Sequence, residues 1–404
     1  MQKNTSICYN YSFDLVISSF ILFMFVSLPF AVQGWNPSLM VLNRLLFVLF
    51  GVICLVRHLI TCQFKVRIDL NFLFLPIFVM YSLIVSIFFR SDGILAYIKE
   101  VALFVSVFSL ILYCFTSYIP PLVPRLFCVI ASAFSLDAVF QSIYGTNIFG
   151  FSEPFMGRHW GVFHYGAPTL GIYLSLIFFV PMYVLKSRIL AVLTMSIFAL
   201  GILVSNDRAA LMIVFSSFLI YMLIQGGGKR ILYLIALTML IVILSAVLYD
   251  YLPYRIQWLV GFIKEVLVSD NISPEMLDRF SVSAYVDIWT TNIRIWFDQD
   301  NLFFVFFGSG FGNLQYFLVS EGGYERTHSF LLEILMTFGV FGNVFILIML
   351  KGIIRNYNSG AIMILSYFTP FFFFSLYSAN TLFMLIFSFY SYAYYRTQLG
   401  ENYD

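Results

Sequence analysis

The chain has 404 residues, of which 61% are hydrophobic and 10% charged, and its 22 Lys+Arg nearly cancel its 20 Asp+Glu. A soluble domain carries about one quarter charged residues, so this composition excludes a soluble globular enzyme and a disordered chain. The balanced charge also excludes a nucleic-acid binder working through a basic patch.

The first segment, MQKNTSICYNYSFDLV, carries one Lys and one Asp before an apolar run and no small-residue cleavage site. It reads as a retained first helix rather than a signal peptide. A bilayer core needs about 20 apolar residues per helix, and runs of that length predict spans at roughly 13–33, 39–56, 71–89, 95–117, 121–144, 168–185, 188–205, 209–226, 230–250, 328–350, 360–377 and 379–396. Continuous rather than alternating apolar character makes them helices and not barrel strands. The 49 Phe and 26 Tyr suit lipid-facing helices with aromatic ends.

The predicted architecture is therefore an all-α polytopic membrane protein of about twelve transmembrane helices. Residues 1–250 hold spans one to nine with an outer loop at 145–167, residues 251–327 form a large outer loop with interfacial helices, and 328–404 hold the last three spans and a short tail. Basic residues orient it. With the N-terminus in the cytoplasm, Arg57, Lys65, Arg67, Lys186, Arg188, Lys229, Arg230, Lys351 and Arg355 fall inside, against Arg90, Arg158 and Arg208 in short outer loops. Both termini are then cytoplasmic. Four ionisable residues, Arg44, Lys99, Glu100 and Asp137, lie inside spans, where each costs about 2.5–3.5 kcal/mol if central. They are expected to face the bundle interior and to pair, for example Arg44 with Glu100 or Asp137.

Cys8, Cys54, Cys62, Cys114 and Cys128 have no metal or disulfide spacing, and the four His are dispersed, so no metal site is expected. Candidate chemistry sits in five outer-face groups. Ser205-Asn206-Asp207-Arg208 joins two spans and places a cation against the charge bias; Arg208 offers a planar donor fork for phosphate, or the stretch is only a capped helix start. Arg294, in Asn292-Ile293-Arg294-Ile295-Trp296, and Arg279 lie in the long segment, where an interfacial helix would equally account for them. Gly308-Ser309-Gly310-Phe311-Gly312 lacks the strand and helix of a nucleotide loop and predicts a tight turn that lets backbone approach a ligand or helix. His328 opens a helix in Thr327-His328-Ser329-Phe330, where neutral imidazole can accept a proton. Arg158, His159 and His164, with Trp160, fit sugar contact or an aromatic belt.

In this order the motifs (SNDRAAL, then Arg294 and Trp296, a G-x-G turn, and THSFLLEILMTFGVFG) resemble the O-antigen ligase/polymerase superfamily, the Wzy-type polymerases and their lipid A-core ligase relatives. The loop GRHWGVFHYGAPTLGIYLS is similar to the polymerases' R-x-x-G-x-F pattern. The likeness is detailed over residues 145–345, and R-I-W and Ser329 depart from the more usual R-x-x-W and Asn.

The resemblance implies a GT-C-like glycosyltransferase of the bacterial inner membrane, in lipopolysaccharide biosynthesis. It implies a surface-polysaccharide polymerase that joins undecaprenyl-diphosphate-linked oligosaccharide units at the periplasmic face, without nucleotide sugar, metal or other cofactor. Its partners would be lipid, a chain-length regulator and a flippase, not nucleic acid. The roles implied are Arg208 and Arg294 on the diphosphate and His328 as base. Arg158, His159, His164, Arg279, Gly308 and Gly310 would line the substrate. A ligase, or a flippase for the same units, is the alternative.

Overall fold

The computed structural model describes residues 11–31, 37–61, 70–88, 94–116, 119–152, 159–163, 169–207, 210–211, 213–216, 218, 257, 261, 282–297, 302–310, 313–324 and 329–355. In chain order its helices are α1 (Tyr11–Ala31), α2 (Pro37–Thr61), α3 (Leu70–Phe88), α4 (Ile94–Thr116), α5 (Leu122–Tyr144), α6 (Thr169–Leu176), α7 (Val180–Val184) and α8 (Arg188–Val204). They are followed by α9 (Val282–Phe297), α10 (Leu302–Phe307), α11 (Leu314–Ser320) and α12 (Phe330–Arg355). Among the described residues no strand is formed beyond one isolated bridge, Thr146 to Ser152, so the protein is all-α.

Among the described residues, helices stand at the predicted runs 13–33, 39–56, 71–89, 95–117, 121–144, 188–205 and 328–350, and one run is divided. The run at 168–185 is two short helices, because Pro181 lacks an N–H and the bonds before it tighten to Phe178 N–H on Ser175 O and Val180 N–H on Ile177 O. Among the described residues one helix, α5, is long and apolar enough to cross a membrane. The predicted spans 230–250, 360–377 and 379–396, and nearly all of 209–226, lie outside the described residues.

Apolar residues occupy both faces of the helices. Leu45, Val52, Val129, Ile189 and Val192 are exposed, while Phe47, Cys54, Phe127 and Phe198 are buried. A helix in water would carry charge on that outer face. The core joins α1, α5, α6 and the loop after α5 through aromatic rings. Phe25 stacks on Phe127 at 4.3 Å and meets Tyr173 at 4.9 Å. Phe134 meets Phe163 edge-on at 5.7 Å. Small residues allow closer approach elsewhere: a side chain at Gly51 would collide with Ser106 of α4, and one at Gly201 with Ser135 of α5.

Buried charge settles differently from the sequence expectation. Arg44 does not pair with Asp137, whose Oδ1 instead accepts the Ile148 amide at 2.9 Å; the side chains of Lys99 and Glu100 lie outside the described residues. Among the described residues an ion pair joins Arg57 Nη1 to Asp14 Oδ1, at 2.6 Å. Arg57 is not a loop cation, because α2 runs on to Thr61 and carries it inward. Asp14 near the start of α1, Arg57 near the end of α2 and Tyr113 near the end of α4 meet at one end of the bundle. The end of α5 and the end of α8 meet at the other.

The described part of 251–327 is folded. Trp296 of α9, Phe304 of α10, Leu318 of α11 and Met336 of α12 form one apolar cluster. At its exposed edge the Tyr324 hydroxyl donates to the Asp287 carboxylate, which holds the phenol above its usual range.

Candidate functional site

The last two turns of α5 present Asp137 and Gln141 four residues apart, hence on one face. The helix stops at Gly145, at φ 78°, whose amide returns to Gln141 O at 2.8 Å. The chain then folds back. Asn147 Oδ1 accepts the amides of Phe149 and Phe151 at 3.0 and 2.9 Å, and its Nδ2 donates to Gly161 O at 2.7 Å. Gln141 Oε1 accepts the Gly161 amide at 2.9 Å, and its Nε2 donates to Phe151 O at 3.2 Å. Three polar side chains thus bind the stretches 147–151 and 159–163 to one helix end, which satisfies backbone that the apolar core would otherwise strand.

Asp137 is 5% exposed. Gly161 roofs it at φ 55°, where a Cβ would stand 2.7 Å from Oδ2 and 2.9 Å from the Ala138 amide nitrogen. Gly161→Ala combines left-handed strain with overpacking. A loss of about 2–3 kcal/mol in unfolding free energy is expected, read in denaturant from the detergent-solubilised protein. An Ala variant as stable as wild type would remove this account of the roof.

The loop is joined to the end of α8, where the His159 amide donates to Val204 O at 3.2 Å. There the chain reverses through Asn206 in the left-handed region, φ 52°, a conformation Asn tolerates. Asp207 O then accepts the Leu211 amide at 3.3 Å as helix resumes. Ser205, Asn206 and Asp207 are all buried. A side chain at Gly171 of α6 would stand 2.7 Å from Ser205 Oγ and 2.8 Å from Asp207 Cβ, so α6 closes the third side. Asp207 is a buried carboxylate directly before Arg208 in the sequence.

A second cluster forms between α9 and α12. Asn292 and Trp296 face inward on α9, and Arg294 is exposed between them. Asn292 Oδ1 accepts the Tyr324 amide at 3.1 Å. Gly308 and Gly310 are buried, at φ 78° and 77°. The amides of Ser309 and Gly310 donate to Met336 O and Thr337 O at 2.9 and 2.8 Å, so they are engaged by α12. Ser329 caps α12, its Oγ accepting the Leu332 amide at 3.4 Å and its carbonyl the Glu333 amide at 2.9 Å.

The structure therefore gathers the His159 backbone, Asp137, Asn206 and Asp207 at one end of the bundle, and sets the Gly308–Gly310 turn against Met336 and Thr337 of α12, the helix that Ser329 caps and that carries buried Glu333. Arg158, His164, Arg208, Arg279 and His328 lie outside the described residues. Buried Asp207 and Glu333 were missed as site residues. Their signal was an acid inside or abutting an apolar helix, the feature that singled out Asp137. Among the described residues no group of three or more His, Cys, Asp or Glu gathers to hold a metal. No protein-family model matches the chain, and no curated protein matches it.

Proposed function

We propose that the chain is a multi-pass inner-membrane glycosyltransferase, a surface-polysaccharide polymerase of the O-antigen type acting on undecaprenyl-diphosphate-linked oligosaccharide units. The observation that carries this reading is the hydrogen bond of His159 to Val204, which joins two elements chosen independently by their chemistry: the Arg158–His164 loop and the turn entering Arg208. The exposed apolar faces of α2, α5 and α8 support residence in lipid.

The reaction asks for little beyond positioned charge. A hydroxyl of one unit attacks the anomeric carbon of another. The bond from that carbon to the diphosphate oxygen breaks, and the electron pair leaves with the polyprenyl diphosphate. Arg208 and Arg294 neutralise the leaving group, and Arg294 is exposed on its helix. His328 takes the hydroxyl proton, and attack from the face opposite the leaving group inverts the configuration. Arg158, His159 and His164 hold the sugars.

Gene deletion tests the assignment. The expected result is lipid A-core carrying single repeat units, restored to long polymer by the wild-type gene. Polymer stranded on polyprenol would instead identify a ligase. Lipid-linked units confined to the cytoplasmic leaflet would identify a flippase. Purified protein in liposomes should lengthen lipid-linked units without added nucleotide sugar.

A further inference from the structure

Gly339 interrupts α12 at φ 60° and ψ −171°, so the regular ladder of helical bonds is broken there. A helix broken among apolar neighbours must pass its carbonyls to outside donors. The donors are present. Asn343 Nδ2 donates to Ile334 O at 3.2 Å and Gly339 O at 2.6 Å. The Ser309 and Gly310 amides take Met336 O and Thr337 O. The Tyr81 hydroxyl of α3 stands 2.8 Å from Phe338 O and 2.8 Å from Phe307 O, so its one proton serves the two ends of the joint in turn.

Glycine is needed on both sides. A side chain at Gly308 would meet the carbonyl of Thr337, one at Gly339 the carbonyl of Phe306, and one at Gly310 would meet Ser86 of α3. Asn313 Nδ2 completes the joint by donating to Ser309 O at 3.0 Å and Ser86 O at 3.3 Å. The carbonyls of Ile334, Met336, Thr337, Phe338 and Gly339, of the kind a transporter turns toward an ion, each accept a protein donor here.

We infer that Tyr81, with the Gly308–Gly310 notch, is a positioning element. It fixes the first part of α12, residues 330–338, with the cap at Ser329 before it and buried Glu333 within it. The lock itself stands on these bonds; its consequence for catalysis rests on the function proposed above. Tyr81 touches no substrate and acts through the helix it holds.

The test uses the full chain in liposomes, with lipid-linked repeat units isolated from the deletion strain as substrate. Tyr81→Phe keeps the ring and removes the donor. It should lower kcat for polymerisation about tenfold and leave KM within about twofold, since binding groups stay and their alignment is lost. In a background lacking the five native cysteines, Ser329→Cys should react with a water-soluble maleimide about tenfold faster once Tyr81 is Phe. Tyr97→Phe, a hydroxyl lost at the contact with Val79, is the control and should move neither readout.

Wild-type kcat together with an unchanged labelling rate overturns the inference. If the wild-type protein makes no polymer, the functional reading fails and labelling alone decides the lock, a raised rate supporting it and an unchanged one refuting it. If Tyr81→Phe does not fold, Asn343→Leu removes the other side-chain donors to the break and is read in the same way.

Discussion

Arg57→Ala is expected to destabilise the protein by about 3–5 kcal/mol, because it leaves a buried carboxylate without its cation. Asp14 is wholly buried, and its Oδ1 accepts Arg57 Nη1 at 2.6 Å and the Tyr113 hydroxyl at 3.3 Å. The guanidinium also lies 4.2 Å above the Phe13 ring, so its removal costs cation–π contact as well as charge. The loss should show as a fall of about 4–6 °C in the midpoint of thermal aggregation in detergent. Paired replacement separates the charge from the packing. Asp14→Leu with Arg57→Met should recover most of the loss, since an apolar pair of similar volume is often neutral or better. A single Arg57→Ala variant that melts with the wild type would show that water or a reorganised neighbour reaches Asp14.

The same pair shows where sequence reading stops. Asp14 was visible before the first apolar run and Arg57 beyond the predicted end of the second, but their meeting across 43 residues depends on how α1 and α2 pack. Helix positions were legible because an apolar run of sufficient length has few other solutions in lipid. The division of 168–185 was legible in principle, since Pro181 stands in the run. The break in α12 was not. Gly339 and Gly342 within an apolar stretch read equally well as a packing face, and the broken backbone is satisfied by distant donors, Tyr81 and residues 309–310, together with Asn343 of the same helix. At the site, the four-residue spacing of Asp137 and Gln141 was present in the sequence, whereas Asn147 acts through contacts made only when the loop folds back. The glycine turn was expected to bring backbone close to a ligand or a helix, and the structure places α12 against it.

Arg208→Ala is expected to lower kcat for polymerisation by about 10²–10³-fold, the cost of removing one fixed donor from a developing anion. The argument rests on where charge appears. In the proposed reaction the diphosphate gains negative charge as the glycosidic bond breaks, and a fixed cation stabilises that charge without reorganising. Arg208→Lys should recover only part of the rate, since an ammonium restores the charge without the planar fork. His328→Ala removes a proton acceptor and should cost about 10²–10⁴-fold. Initial rates on lipid-linked units, with each variant matched to wild type for membrane level and melting, provide the measurement. The two losses must not multiply in the double variant if both groups act in one transition state. A double variant that loses the full product of the two effects would show that Arg208 and His328 contribute independently rather than as a coupled unit. Intact rates in Arg208→Ala alone would hand the leaving group to Arg294 or to a cation not yet identified, and the diphosphate clamp proposed at the α8 turn would be withdrawn.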